Sequence, residues 1–216
     1  MIAPLKLRGV VFDMDGLLLN TESLRMLALE DCARELGAPV KTDLFLALIG
    51  GATQEARAAL EMHVRDDLPA DFWKVYRKHA ERRMDGVQPM PGAVDLLDHL
   101  ERRAVPAALA TSATRTSVER FCAPFGLIGR FSAIVAKGDY ANPKPEPDAF
   151  LAAASQLGVP PAECLALEDS YNGVRAAVAA GMTVVMAPDV LPATDEMRAL
   201  CVAVVGDLGE VITRLV

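Results

Sequence analysis

Short apolar runs alternate with longer stretches of helical periodicity along much of the chain. Apolar runs of this length are typical of strands that are buried on both faces. Two of the helical stretches end at Gly158 and Gly181, as helices commonly do. The alternation predicts an α/β fold, a Rossmann-like parallel sheet with helices on both faces. The predicted strands are 9–12, 105–110, 131–136, 164–167, 183–187 and 202–205.

Residues 20–85 interrupt this alternation. They contain helix-like patterns at 22–37, 53–64 and 69–84, and no strand-like run lies between them. We therefore predict a helical domain at 20–85, inserted after the first strand of the sheet. The α/β core domain is predicted to comprise residues 1–19 and 86–216.

Composition narrows the class of protein. Of 216 residues, 52% are hydrophobic, which supplies a large core and argues against disorder. The net charge of −7 argues against a nucleic-acid partner, because such binding needs a basic surface. We find no apolar run long enough to span a membrane and no signal-peptide pattern. The four cysteines are widely spaced, which favours reduced, mostly buried thiols. We expect a soluble, cytoplasmic protein, either a monomer or a weak dimer.

Parallel α/β sheets bind ligands beyond the carboxyl ends of their strands. Polar residues follow several of the predicted strands at this position. Each residue taken alone has a simpler interpretation, as a turn residue, a helix cap or a solvated lysine. Their shared location at one sheet edge is what favours a functional site. These residues are Asp13 and Asp15 after the first strand, Thr111, Ser112 and Ala113 after the second, Lys144 in "NPKPEP" after the third, and Glu168 and Asp169 after the fourth.

Four carboxylates at one edge need compensating charge. Two carboxylates about 4 Å apart repel each other by about 4 kcal/mol at an effective dielectric constant near 20. One lysine, Lys144, cannot offset four acidic groups. A hard divalent cation can, and ligands that are all oxygen suit Mg²⁺. Mg²⁺, a lysine, a hydroxyl and backbone N–H groups are also the groups that phosphoryl transfer uses. The sequence therefore predicts a Mg²⁺ site that receives a phosphorylated substrate.

Four motifs in order resemble the haloacid dehalogenase superfamily, in its phosphatase and phosphomutase branch with a helical cap. They are "DMDGLLLNTE" (13–22), "ATSAT" (110–114), "KPEPDAF" (144–150) and "LEDSYNGVRAAVAAGM" (167–182). The predicted helical insert occupies the position of that family's cap. The resemblance spans nearly the whole chain.

The resemblance implies separate roles for the first two aspartates. Asp13 would attack phosphorus and form an aspartyl-phosphate, while Asp15 would protonate the leaving oxygen and later take a proton from water. The family's dehalogenases lack the second aspartate because a halide leaves without a proton. The presence of Asp15 therefore favours cleavage of a phosphate ester.

The resemblance also implies which residues bind the cation. Mg²⁺ would be held by Asp13, the backbone carbonyl of Asp15, and Asp169. Glu168 would be a direct or water-mediated partner.

Further residues would bind the phosphoryl group. Ser112 and the N–H group of Ala113 would hold its oxygens, and Thr111 could share the role of Ser112. Lys144 would balance charge and orient the nucleophile, and Gly16 would allow a close backbone turn beside the phosphate.

In this family the cap supplies specificity and closes over the site. Glu22, Arg25 and Lys78 are our substrate-binding candidates, and Arg25 and Lys78 could contact a polar or second anionic group. For the basic cluster around Lys78, a solvated helix face is the alternative interpretation. The wider set of cap candidates is Asn20, Glu22, Arg25, 49–53, Arg57, Lys74 and Lys78.

Two alternatives stay open. A β-phosphoglucomutase-like phosphomutase would carry a histidine where this chain has Arg25, and an arginine in the cap loop where "GGAT" has no basic residue. Both differences favour a phosphatase, similar to the sugar-phosphate and pseudouridine-monophosphate phosphatases. A phospho-acceptor signalling domain would use similar groups, but it would have no helical insert of this size, and its phosphorylated aspartate would come from a later strand.

Overall fold

The computed structural model describes residues 7–37, 69 and 71–214. Its centre is a six-stranded sheet in which every neighbouring pair of strands is parallel. The strand order is β3-β2-β1-β4-β5-β6. The strands are β1 (Gly9–Phe12), β2 (Ala107–Thr114), β3 (Ala133–Lys137), β4 (Cys164–Glu168), β5 (Thr183–Met186) and β6 (Ala203–Val204).

Helices connect most of these strands and cover the sheet. Three short 3₁₀ turns add to them at Ala123–Phe125, Ile128–Arg130 and Pro161–Glu163. The α-helices of the described residues are α1 (Thr21–Leu36), α2 (Phe72–Met84), α3 (Ala93–Arg102), α4 (Arg115–Cys122), α5 (Asp148–Leu157), α6 (Tyr171–Ala179), α7 (Asp195–Leu200) and α8 (Gly209–Arg214).

The central strand β1 is apolar throughout because both of its faces are covered. Val10 and Phe12 belong to a core that also contains Leu96 of α3. Val11 belongs to the core on the other face, with Phe150 of α5. The residues of β1 are fully buried, as expected of a parallel strand between two helical layers. The predicted α/β fold with a parallel sheet is therefore confirmed.

The end of β2 differs from the prediction. The apolar run predicted a strand that stops at Ala110, whereas the structure continues β2 to Thr114. The pairing between β2 and β3 shifts register between Ala110 and Thr114, where Thr114 pairs with Lys137. Ser112 and Ala113 therefore lie in the irregularly paired last part of β2 rather than in a following loop.

Among the described residues between β1 and α3, two helices pack against each other. Leu29 and Cys32 of α1 lie in one apolar cluster with Phe72 and Val75 of α2. The ion pair of Arg83 with Asp31 (2.6 Å) adds a polar contact between the same helices. The helices predicted at 22–37 and 69–84 are thus present. The helix predicted at 53–64 lies outside the described residues, and the domain boundaries at 19/20 and 85/86 remain predictions.

The two connections to this helical segment run beside each other. Leu19 forms an antiparallel bridge with Pro89. The backbone N–H of Asn20 donates to Gln88 O (3.1 Å), and its side-chain oxygen accepts from the Gln88 N–H (2.8 Å). The chain therefore leaves the core and returns to it at one place.

The predictions on thiols and membrane spans can be compared with the described residues. Cys32, Cys122 and Cys164 are buried, Cys201 is half-buried, and all four are free thiols. Among the described helices, none has the length and apolar character needed to cross a membrane.

Candidate active site

Asp13 lies directly beyond β1, at the middle of the sheet edge, and it is buried. Its N–H donates to Leu167 O of the neighbouring β4 (3.0 Å). Lys144 Nζ lies 2.5 Å from Asp13 Oδ1, 2.5 Å from Glu168 Oε1 and 3.1 Å from Ala110 O. One buried ammonium therefore connects the ends of β1 and β4 with the backbone of β2, and all three of its protons have an acceptor.

Glu168 is fully buried, and both of its carboxylate oxygens are occupied. Lys144 contacts Oε1, while Oε2 accepts from the Asp169 N–H (3.0 Å), the Ser170 N–H (3.0 Å) and the Ser170 hydroxyl (2.9 Å). Ser170 also caps α6 by accepting from the Gly173 N–H (3.1 Å). A β-carbon at Gly173 would lie 1.8 Å from Glu168 Oε1, so a glycine is needed for this close approach.

Asp13, Glu168 and Asp169 form a buried carboxylate cluster, with one oxygen of each lying within 4.8 Å of the others. Gly16 borders it at φ +81°, and a β-carbon there would lie 2.2 Å from Asp169 Oδ2. This is a second position where only glycine fits, because both the backbone conformation and the space exclude a side chain. The close backbone turn predicted at Gly16 thus lies against Asp169.

Burial governs the protonation of this cluster. It raises the pKa of Asp13 to about 7, since the opposing effect of Lys144 is smaller and the carboxylates of Glu168 and Asp15 add to the rise. Burial and the Glu168 and Asp13 carboxylates raise the pKa of Asp169 well above its usual value. Burial would lower the pKa of Lys144, but the carboxylates of Asp13 and Glu168 raise it above its usual value.

This electrostatic balance fits a hard cation. A single ammonium faces three buried carboxylates, so negative charge remains in excess. A ligand set composed of carboxylate oxygens suits a divalent ion such as Mg²⁺. Asp13 and Asp169 are available to hold it, whereas Glu168 already accepts four hydrogen bonds.

Asp15 does not join this cluster. Its Oδ1 accepts from the Thr21 hydroxyl (2.7 Å) and contacts the Arg25 guanidinium (3.2 Å). Arg25 also pairs with Glu22, which is buried. Burial raises the pKa of Glu22, and the charge of Arg25 opposes that rise. The structure therefore brings Glu22 and Arg25 to the acidic edge, on the side of Asp15.

The end of β2 carries the two predicted phosphoryl-binding groups. Ser112 is exposed, whereas Thr111 is fully buried. The Ala113 N–H donates to Thr111 Oγ1 (3.0 Å), so the amide is already engaged. This arrangement favours Ser112 over Thr111 for contact with a ligand, and it requires the Ala113 amide to exchange or share its bond when a phosphoryl group binds.

Lys78 lies elsewhere. Its ammonium is 3.1 Å from both oxygens of Glu35, near the last turn of α1. Glu35 follows Arg25 by ten positions, which places it about 15 Å further along the helix axis. The structure does not bring Lys78 to the acidic edge, because an exposed carboxylate on the adjoining helix pairs with it.

The remaining cap candidates have other surroundings. Asn20 bonds to Gln88 in the connection described above. Lys74 is exposed on α2. The loop 49–53 and Arg57 lie outside the described residues.

Sequence reasoning missed three residues that shape this edge. Thr21 bonds to Asp15, Ser170 bonds to Glu168, and Asp189 contacts the first turn of α1 through Ser23. Asp189 comes three residues after the end of β5, so the rule that led to Asp13 and Glu168 also applied to it. Thr21 and Ser170 lie within quoted motifs, where they could have been recognised as small hydroxyl residues next to acids.

Comparison with known proteins agrees with these motifs. The family profile of the haloacid dehalogenase-like hydrolases matches residues 10–187. A Drosophila melanogaster protein named "Probable pseudouridine-5'-phosphatase" is 40% identical over 194 residues, which cover 85% of this chain and 83% of that protein. A fructose-1-phosphate phosphatase of Escherichia coli is 34% identical over 180 residues, covering 82% and 94%.

A solved structure has a similar fold. A haloacid dehalogenase family hydrolase from Deinococcus radiodurans, with bound phosphate and sodium, superposes with a TM-score of 0.80 at 25% identity. The match covers 96% of this chain and 94% of that one. Together with the profile match and the identities above 30%, these findings place the chain: it belongs to the haloacid dehalogenase-like hydrolases, in their phosphatase branch.

Proposed function

We propose that this phosphoric monoester hydrolase is a Mg²⁺-dependent phosphatase that acts through an aspartyl-phosphate on Asp13. The main observation that supports this proposal is the position of the Lys144 ammonium, which lies 2.5 Å from both Asp13 and Glu168 within a buried acidic cluster. Such an arrangement holds a carboxylate in a fixed orientation and brings positive charge to the place where an anionic phosphoryl group would arrive.

The cation site would use the carboxylates of Asp13 and Asp169 and the backbone carbonyl of Asp15. Glu168 would take part through water, because its own oxygens are occupied. When bound, Mg²⁺ supplies positive charge that offsets the clustered carboxylates and the phosphoryl oxygens.

The reaction would proceed in two steps. In the first, an oxygen of Asp13 attacks phosphorus, the ester P–O bond breaks, and the leaving oxygen takes a proton from Asp15. In the second, Asp15 removes a proton from a water molecule that attacks the aspartyl-phosphate. The P–O bond to Asp13 then breaks, and inorganic phosphate leaves.

Three groups would bind the phosphoryl oxygens during both steps. Lys144 contributes charge, Ser112 contributes an exposed hydroxyl, and Ala113 contributes its N–H once that amide turns from Thr111. Ser112 and Ala113 lie near the end of β2, and Lys144 lies in the connection after β3, so all three groups are carried by the same edge of the sheet. Ser112 and Lys144 would therefore act with Asp13 and Asp15 as the catalytic groups.

We infer that the substrate is a small phosphorylated metabolite of the sugar phosphate or nucleoside monophosphate type. The two relatives are named "Probable pseudouridine-5'-phosphatase" and "Fructose-1-phosphate phosphatase", and these names correspond to the two types of substrate. Glu22 and Arg25 lie beside Asp15, where they could contact the substrate. Lys78 could contact it only if its pair with Glu35 opened and the helices shifted. We also propose that the protein is cytoplasmic, that it is a monomer or a weak dimer, and that it binds neither nucleic acid nor membranes.

Substitution of the nucleophile gives the direct test. Purified chain should release phosphate from one or more members of a panel of sugar phosphates, nucleoside monophosphates and phosphoglycolate, and it should require Mg²⁺. Asp13→Asn should lower kcat by more than about a thousandfold, because the amide cannot form the acyl-phosphate. Circular dichroism would establish that the variant is folded. Retained turnover by Asp13→Asn would contradict the assignment of the nucleophile.

Product analysis separates the phosphatase from the phosphomutase. A phosphatase releases inorganic phosphate, whereas a mutase converts a hexose phosphate to its isomer and needs a bisphosphate activator. We expect free phosphate and no isomer in ³¹P NMR spectra of reactions with glucose 1-phosphate and glucose 6-phosphate. Isomer formation that increases with added glucose 1,6-bisphosphate would contradict this expectation.

The charge excess predicts an unusual stability change in the metal-free chain. An acid whose pKa is raised on folding destabilises the fold as pH rises above its unfolded value, because the folded state then resists ionisation. Asp169→Asn should therefore raise the free energy of unfolding at pH 7.5, and the gain should shrink toward pH 4. Urea unfolding in EDTA would measure both.

Asp139→Asn is the matched control. The Ala136 N–H and Arg115 lower the pKa of Asp139, so its charge stabilises the fold above pH 4. This variant should lose stability at pH 7.5 and lose less near pH 4. A destabilising effect of Asp169→Asn that grows with pH would show that Asp169 is well compensated without a cation.

A further inference from the structure

Two donors from α1 converge on one oxygen of Asp15. The Thr21 hydroxyl donates to Oδ1 (2.7 Å), and the Arg25 guanidinium lies 3.2 Å from the same atom. Thr21 and Arg25 are four residues apart, so they occupy one face of the helix. Within the described part of the chain, no hydrogen bond reaches Asp15 Oδ2.

This asymmetry determines which oxygen of Asp15 can donate and accept the transferred proton. An oxygen that accepts from a hydroxyl and a guanidinium has its lone pairs engaged, so a transferable proton belongs on the other oxygen. Asp15 is therefore held with Oδ1 toward α1 and Oδ2 free to deliver the proton to a leaving group and to collect one from water.

Arg25 is itself fixed in charge and place. It pairs with the buried carboxylate of Glu22 as well as with Asp15. Burial works to lower the pKa of Arg25, but the two carboxylates outweigh it and raise the pKa above its usual value. The guanidinium thus stays charged, and its side chain is about one-third exposed.

The first turn of α1 is held by the core domain rather than by its own cap. The side chain of Asn20 makes no capping hydrogen bond to the helix. Instead, Asp189 from the segment after β5 accepts from the Ser23 N–H (3.1 Å) and from the Ser23 hydroxyl (2.5 Å). A carboxylate at this position does the work of an N-cap and interacts favourably with the helix dipole.

Apolar packing supports the same attachment. Leu191, two residues after Asp189, is buried in the cluster that contains Leu29 and Cys32 of α1. The segment after β5 therefore contacts α1 through both a carboxylate and an apolar side chain, which fixes the rotation of the helix about its axis.

On this geometry we propose that Asp189, acting through Ser23, sets the first turn of α1 so that Thr21 and Arg25 orient Asp15 with Oδ2 free for proton transfer. Thr21, Arg25 and Asp189 are then positioning residues for the acid/base. This inference rests on the proposed phosphatase function, and it gives Arg25 a role that does not require contact with substrate.

The test compares two leaving groups. p-Nitrophenolate leaves without a proton, whereas the alkoxide of a sugar phosphate needs one. We would measure kcat/KM, which reports the steps up to P–O cleavage, for p-nitrophenyl phosphate and for the sugar phosphate that the wild-type chain hydrolyses fastest. Thr21→Val and Asp189→Ala should lower kcat/KM about 10- to 100-fold for the sugar phosphate and less than about threefold for p-nitrophenyl phosphate.

Matched variants define the comparison. Asp15→Asn should also lower kcat/KM more for the sugar phosphate than for p-nitrophenyl phosphate, and by a larger factor. Thr21→Ser keeps the hydroxyl donor and Asp189→Asn keeps an acceptor oxygen. These two variants should therefore retain most of the wild-type kcat/KM for the sugar phosphate. Thr194→Val removes the threonine that caps α7, which accepts from Met197 and not from α1, and it should leave the ratio of the two substrates unchanged. Ser23→Ala removes one of the two contacts to Asp189 and provides the comparison if Asp189→Ala does not fold.

Two failures can be told apart. If Thr21→Val or Asp189→Ala lowers kcat/KM equally for both substrates, or changes neither, the positioning role is contradicted while the phosphatase stands. If the wild-type chain hydrolyses neither substrate nor any other member of the panel, the proposed function itself is contradicted, and the inference falls with it.

Discussion

The contact on which the site depends is that of one buried ammonium with two carboxylates. Lys144 lies between Asp13 and Glu168 and also bonds to the carbonyl of Ala110. Removing one partner of a buried ion pair costs about 3–5 kcal/mol, because the other charge is left uncompensated. Lys144 therefore ties the residues at the ends of β1 and β4 to the backbone of β2, in addition to the backbone pairing of these strands, and it is also a group to which we assign a catalytic role.

The positive charge of Lys144 nevertheless does not balance the carboxylates at this edge. Glu168 is fully satisfied by Lys144 and by donors at the start of α6, but Asp13 and Asp169 are not satisfied to the same degree. The glycines at 16 and 173 bring backbone so near these acids that no side chain separates them. A fold that packs acids this tightly without matching cations keeps an imbalance that a bound ion and a phosphorylated ligand can use together.

The strands of the core could be predicted from the sequence because each of them is specified by a short local run of apolar residues. A four-residue apolar run such as 9–12 specifies a buried strand, and the polar residues that follow it must lie at the sheet edge. The extension of β2 was missed because "TSAT" lacks any apolar alternation, and its pairing depends on Lys137 of a neighbouring strand. The partner of Lys78 was missed for a similar reason, since Glu35 faces it only once α1 and α2 pack. Asp189 contacts a residue 166 positions away, which no local pattern reveals.

The adjacent connections at Leu19–Pro89 and Asn20–Gln88 have an evolutionary consequence. Since the chain departs from the sheet and rejoins it at a single point, the intervening segment can be lengthened, shortened or replaced without displacing any strand. Changes in that segment that keep Thr21 and Arg25 would leave the contacts of Asp15 in place. A single junction of this kind allows the inserted segment and the sheet to change in length independently, except at the first turn of α1, which is tied to the core through Asp15 and Asp189.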